Sequence, residues 1–428
     1  MAINRRLGRF KFWTDLFVKL VVVAVVGAVG HRFYERHHQP VRIGLIMPLS
    51  GTAETAGAEL HDAYRLAVES INATGGVLGR PLEVIILDSG ISQKRTLAEV
   101  ERLNREEQVA AFFGCYLSGC RRAILPAIRR LENLLVYPAD NEGLEFEPNV
   151  FYTGSPPNQL VMPATEWARR NLGRRLFVVG MDDIYPRIAA ALIERELKEL
   201  DGELAGAFFV APGSEDLATA TQAILKARPD AILSFTNGSS LPGLVNALRA
   251  AGVNSDQIPI VHVWADEDQL RELGPAQNEG DYLAASYFND LESKANVTFR
   301  AAIQSRYGRQ RRFGEIEESA YIGVMMWAAA VTRANSLTPA AVGRALRGLH
   351  FEAPSGYVHM DRSNHRLWRQ IRVGRFEDTG RVIPVWESEG ALAPLNYPLS
   401  GTQEEWDELL TALNRKWHGR WAAPEAAL

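Results

Sequence analysis

From Val41 onward the chain alternates short aliphatic or β-branched runs with amphipathic stretches of helical length, and no other feature constrains its fold as much. Val41–Met47, Leu82–Asp88 and the segments 109–114, 134–137 and 150–153 read as strands. Between the first two, Leu60, Ala63, Leu66, Ala67 and Ile71 recur every three or four positions, the period of a helix with one buried face. Strands separated by helices cross over and pair in parallel, so the pattern predicts βαβ units on a buried sheet. After Ser155-Pro156-Pro157-Asn158 the series restarts, with strands at 176–180, 206–210, 231–235 and 260–263 and helices between them.

This doubling predicts an α/β protein of two doubly wound parallel-sheet lobes. A strand at 282–287 leads to helices at 296–306 and 317–334, and 357–360 and 367–386 alternate like antiparallel edge strands. The expected division is 41–155 with 285–350 as the first lobe and 156–284 with 351–398 as the second. Residues 399–428 form a C-terminal amphipathic helix and tail. Trp406, Leu409, Leu410, Leu413 and Trp417 share one face of that helix, which packs on the chain's own body or on a partner.

Residues 1–19 carry Arg5, Arg6, Arg9, Lys11 and Lys19 against Asp15, and 20–30 are wholly apolar or glycine. This is the order of a secretory signal. The apolar run is short of the roughly 20 residues of a bilayer span, but counting from Phe10 with Lys19 snorkelling lengthens it. A cleaved signal and a retained membrane anchor therefore both stand for 1–30, with 31–40 as a linker. Either way, the basic flank places the residues after Gly30 across the membrane. A net charge of −4 gives no broad basic face for nucleic acid.

Two cysteines, Cys115 and Cys120, lie five apart. An oxidising compartment permits a bridge, but a strand end and the following helix turn rarely bring two Cα atoms within reach, so they read as two small buried thiols. There is no G-x-S-x-G elbow, H-E-x-x-H, Walker loop or G-x-G-x-x-G after a strand, and the nine histidines show no metal-ligand spacing. No catalytic residues, metal site or cofactor are expected.

In open α/β sheets a ligand binds at the carboxyl ends of the strands. In the first lobe these loops offer Ser50 and Thr52, Tyr116 and Ser118, and Tyr137 and Asp140. In the second they offer Asp183 and Tyr185, Asn237, and Trp264 and Asp266. Aromatic walls with hydroxyls, amides and helix-start N–H groups suit a small polar ligand in a cleft between lobes.

The stretches Val41-Arg42-Ile43-Gly44, Pro48-Leu49-Ser50-Gly51 and Asn72-Ala73-Thr74-Gly75-Gly76-Val77-Leu78-Gly79-Arg80-Pro81 resemble the branched-chain amino-acid class of type I periplasmic solute-binding proteins of ABC importers. Gly114-Cys115-Tyr116 with Ser118, Arg121-Arg122-Ala123-Ile124-Leu125-Pro126, Tyr137-Pro138 with Glu142-Gly143, and Pro148-Asn149-Val150-Phe151-Tyr152-Thr153-Gly154 with Pro157-Asn158-Gln159 are similar to its urea and short-chain amide branch. The resemblance runs from about Val41 to about Pro398. It implies lobes joined by three crossovers, expected near 154–158, 284–290 and 350–356, that close on the ligand as a hinge. It also implies that Ser118 and Tyr137 hold the ligand; Ser118 reads equally as the N-cap of the next helix.

The chain departs from that branch at Ala139-Asp140-Asn141 and near Trp264, which implies a changed pocket. If Asp140, Asp183 and Asp266 face the cleft, they favour a cationic or strongly donating nitrogen compound, although Asp183 and Asp266 also read as helix caps. The expected function is extracytoplasmic capture of a small nitrogenous solute (urea, a short-chain amide, an amine or an amino-acid-like compound) by lobe closure, for delivery to an ABC permease. The alternative is a membrane-tethered or regulatory ligand sensor of the amide-binding type.

Overall fold

A computed structural model describes residues 39–90, 92–214, 217–265 and 267–424. The expected signal or anchor, and most of the linker, lie outside the described residues. Among those described, no helix is long and apolar enough to cross a membrane.

The first lobe runs β1 (Val41–Met47), α1 (Glu54–Ala73), β2 (Leu82–Asp88), α2 (Gln93–Arg102), β3 (Phe112–Gly114), α3 (Ser118–Arg130), β4 (Leu135–Tyr137) and β5 (Val150–Tyr152). Its strands form a five-stranded parallel sheet in the order β2-β1-β3-β4-β5. Because successive side chains point to opposite faces, Ile43, Leu45 and Met47 enter one core while Ile46 enters the other. The inner strands β1, β3 and β4 are thus buried on both sides and read as nearly continuous apolar runs, whereas the edge strand β2 leaves Glu83 and Ile86 exposed.

The second lobe runs α4 (Val161–Asn171), β6 (Arg175–Met181), α5 (Ile184–Glu199), β7 (Glu203–Val210), α6 (Ala218–Ala227), β8 (Ala231–Phe235), α7 (Ser240–Ala250), β9 (Ile260–His262), α8 (Glu267–Glu272), α9 (Pro275–Asn278) and β10 (Tyr282–Ala285). Val178 faces one core and Phe177 and Val179 the other, again with period two. The chain then returns to the first lobe as α10 (Lys294–Tyr307), α11 (Glu315–Ala334) and α12 (Pro339–Leu346). In α11, Trp327 is fully buried edge-on against Phe113 of β3, with ring centroids 5.6 Å apart.

The three-stranded antiparallel sheet β11 (His350–Ala353), β12 (Gly356–Met360) and β13 (Leu367–Trp368) differs from expectation. It packs on the first lobe, because Ala353, Val358, Met360 and Leu367 insert into the core shared by α1 and α11. The third crossing therefore falls after Trp368 rather than at 350–356. Only then do β14 (Arg372–Phe376) and β15 (Val382–Glu387) add antiparallel strands to the second sheet, whose order is β15-β14-β10-β9-β8-β6-β7. Helix α13 (Gln403–Lys416) lays Trp406, Leu410 and Leu413, with Trp417, on Ile184, Ile188 and Leu192 of α5 and on Leu144 of the first lobe.

Cys115 and Cys120 are joined by a disulfide with Cα atoms 5.5 Å apart, which corrects the reading of two buried thiols. The reason is local backbone geometry. Gly114 and Cys115 both take positive φ, +119° and +59°, so the chain turns sharply out of β3 and brings the first turn of α3 within bridging distance. At Gly114 a Cβ would meet the Ile46 carbonyl at 2.1 Å, so no larger residue fits this turn.

Candidate functional site

The carboxyl ends of β1, β3 and β4 in one lobe and of β6, β8 and β9 in the other face each other across a cleft closed over two chambers. The first, of about 20 Å³, is lined by Tyr116 and Asp140 from the first lobe, Trp264 and Gln269 from the second, and Glu315 at the start of α11. The second, of about 100 Å³, is lined by Thr52 and Leu117 from the first lobe and Asp183 and Asn237 from the second, with Ala422 and Ala423 of the C-terminal tail. Between them the Asn237 side-chain amide donates to the Tyr116 phenol oxygen at 3.3 Å.

Tyr185 stands behind Trp264, edge-on at 5.4 Å, and its other edge contact is Phe235. Both residues are buried, and neither the indole Nε1 nor the Tyr185 hydroxyl has a hydrogen-bond partner among the described residues. Asp183 is the N-cap of α5, its carboxylate accepting the Tyr185 N–H at 3.1 Å, so it caps the helix and lines the second chamber at once. Burial pushes its pKa up to about 7. Asp140 accepts the Ser155 N–H at 2.7 Å, and Glu315 accepts from the N–H and hydroxyl of Ser286. Burial raises both carboxyls above their ordinary range, and the Glu315 charge raises Asp140 further.

Three of the expected residues are engaged elsewhere. The Ser50 hydroxyl donates to Asp88 at 2.8 Å, tying the end of β1 to the end of β2. Ser118 donates to Glu142 at 2.6 Å, and Arg121 donates to the Ser118 oxygen at 3.1 Å. Its reading as an N-cap is corrected: Leu117 holds that position without a side-chain cap, Ser118 is the first residue of the helix, and its oxygen accepts from Arg121 rather than from a helix N–H. Tyr137 is fully buried, donates to the Tyr116 carbonyl at 3.3 Å and lies under the Arg121 guanidinium. Asp266 falls outside the described residues.

Arg121, Arg122 and Glu142, all within the motifs that carry the family resemblance, build a buried ion cluster with Glu145. Burial alone would raise the Glu142 pKa, but two guanidinium groups at 2.6–2.7 Å outweigh it and hold it near about 2. Glu315, Gln269 and the two tail alanines are cleft residues that the sequence pattern does not single out. Glu315 carries one signal in the sequence, its place in the acidic opening of a helix, which by itself points to a dipole-complementing residue.

Residues 41–403 match the model of the periplasmic binding protein domain. The chain belongs to the periplasmic binding protein family. The chain is 23% identical over 385 residues to a Leu/Ile/Val-binding protein homolog of Brucella melitensis, covering 84% of this chain and 94% of that protein. A solute-binding protein of an ABC transporter from Rhodopseudomonas palustris, crystallised with 3,4-dihydroxybenzoic acid, superposes with a TM-score of 0.76 at 20% identity, over 83% of this chain and 99% of that one. A branched-chain amino-acid transporter substrate-binding protein from Streptococcus pneumoniae, crystallised with isoleucine, gives 0.72 at 18% identity, over 83% and 100%. This periplasmic binding protein thus has the type I fold of ABC-transporter solute-binding proteins, and it is a binding protein rather than an enzyme.

Proposed function

We propose that this protein is an extracytoplasmic carrier that captures a small nitrogenous solute (urea, a short-chain amide, an amine or an amino-acid-like compound) by lobe closure and delivers it to an ABC permease. The observation that carries this reading is that each chamber draws its walls from both lobes, so a guest held there stabilises the closed form. Thr52, Tyr116, Asp140, Asp183, Asn237 and Trp264 are the contact residues in this reading. Tyr185, Ser118, Tyr137 and Ser50 brace them.

The first chamber holds about one water-sized group, which suits a small polar head. None of its described lining residues is Lys or Arg, which weighs against the carboxylate of an aromatic acid as its occupant. In this reading, residues 1–30 take the protein across the membrane and are then cleaved or kept as a tether; mass spectrometry of the exported chain's N-terminus separates the two. Were residues 1–30 kept as a tether, lobe closure would signal to a partner instead.

A thermal-shift panel of ureas, amides, amines and amino acids tests the reading. A genuine ligand at a hundredfold excess over Kd adds about 2.7 kcal/mol to stability. A panel with no stabilising member would remove it.

A further inference from the structure

We propose that the first chamber receives a positively charged nitrogen, so that this protein selects small ammonium or guanidinium compounds over neutral amides and over carboxylates; this rests on the capture reading above. The chamber's described lining contains four carboxylates, Glu59, Asp140, Glu315 and Glu317, and no Lys or Arg. Two of the four are engaged nearby. Glu59 faces Arg311 at 3.6 Å, and Glu317 accepts the Gly314 N–H at 3.0 Å.

Asp140 and Glu315 are held differently. The hydrogen bonds they accept come from neutral groups, the N–H of Ser155 for Asp140 and the N–H and hydroxyl of Ser286 for Glu315. The Ser155 hydroxyl also reaches Glu315 at 3.5 Å, so one residue joins the two acids. Arg369, whose charge is felt by both, is already bonded to Glu318, Ser319 and the Thr153 carbonyl. Two desolvated carboxyl groups joined through one serine do not both ionise cheaply, and a cationic guest against them would stabilise their charges in place of a retained proton.

A second observation is independent of the acids. Trp264, 4% exposed, lines the same chamber with an indole N–H that has no partner among the described residues. Behind it the Tyr185 hydroxyl, on a residue 1% exposed, is likewise unpartnered. A buried donor left unpaired calls for an acceptor. The complementary guest is therefore a compact cation that carries an oxygen acceptor close to its charged nitrogen. An anion would add a further negative charge to the site, and a neutral amide would satisfy the Trp264 donor without meeting the charge. Ser155 and Ser286 lie on the first two crossovers, so a guest charge at Asp140 and Glu315 acts directly on the segments that hinge the lobes.

Calorimetric titration of the full-length protein with matched probes decides this: glycinamide against acetamide, β-alaninamide against propionamide, and acetate and benzoate as anions. The cationic members are expected to bind at least about tenfold tighter than their neutral counterparts. Asp140→Asn and Glu315→Gln should each weaken the cationic members at least about fivefold more than the neutral ones, so that the preference falls, with near-UV circular dichroism and melting temperature confirming that both variants fold. Tighter binding of a neutral or anionic probe, or equal loss of cations and neutrals in both variants, overturns the inference and leaves solute capture standing. If no probe of any charge binds, the capture reading itself falls, and this inference with it.

Discussion

The Asn237 side-chain amide donates to the Tyr116 phenol oxygen at 3.3 Å, and this hydrogen bond joins one lobe to the other at the wall between the two chambers. Tyr116→Phe removes the acceptor and keeps the ring. A hydrogen bond of this kind contributes about 1 kcal/mol, so the closed-to-open ratio should drop roughly fivefold. Small-angle scattering should report a larger radius of gyration than for the parent protein, and an unchanged radius would mean that this bond does not govern closure.

Arg121 is buried between Glu142 and Glu145, with N–O distances of 2.7 and 2.6 Å. Arg121→Met leaves two buried carboxylates with only Arg122 between them, and the expected loss is about 3–5 kcal/mol. Urea denaturation followed by tryptophan fluorescence measures it. A loss below about 1 kcal/mol would show that Arg122 alone suffices.

Asp183 titrates near pH 7 in the folded protein because burial penalises its charge, against an ordinary value of 3.8. Between about pH 4 and pH 7 the native state binds more protons than the unfolded chain, so this residue's contribution to stability falls as pH rises. Asp183→Asn keeps an oxygen to cap the Tyr185 N–H and removes the charge. At pH 8 the variant should melt several degrees higher than the parent protein, up to about 4 kcal/mol of stability, and the difference should vanish near pH 4. A gain of the same size at both pH values would point to packing instead.

Trp406 of α13 is fully buried on α5, with the Arg195 guanidinium 4.3 Å from its ring. Trp406→Ala should cost about 3–5 kcal/mol at that contact. Hydrogen exchange should rise across 403–416 while the strands β6 and β8 keep their protection. Uniform deprotection of the second lobe would show that α13 belongs to its cooperative core.

The sheets are legible in the sequence because strands buried on both faces cannot hide their composition. Ile43, Leu45 and Ile46, or Phe177, Val178 and Val179, face opposite cores yet all have to be apolar. Pattern alone does not reveal which core a late hairpin joins. Val358 and Met360 alternate as any edge strand does, and only three-dimensional packing sends them to the first lobe.

The cleft is legible in the same uneven way. Thr52, Tyr116, Asp140, Asp183, Asn237 and Trp264 follow strands, and the rule that ligands gather at carboxyl ends finds them. Glu315 lies 175 positions beyond Asp140 in the chain, and Ala422 and Ala423 arrive from the tail, so no local spacing links them to the site. Ser118 departs from its expected cap because its oxygen accepts from the Arg121 guanidinium instead of a helix N–H, while its proton goes to Glu142, 24 residues away.

The Cys115–Cys120 bridge clasps the turn that leads straight into Tyr116 and Leu117, one wall of each chamber. Cytosolic reductants would keep those sulfurs apart, and the turn would lack its staple until the chain met an oxidant. In the extracytoplasmic role proposed above, an oxidising compartment would complete the turn that shapes both chambers.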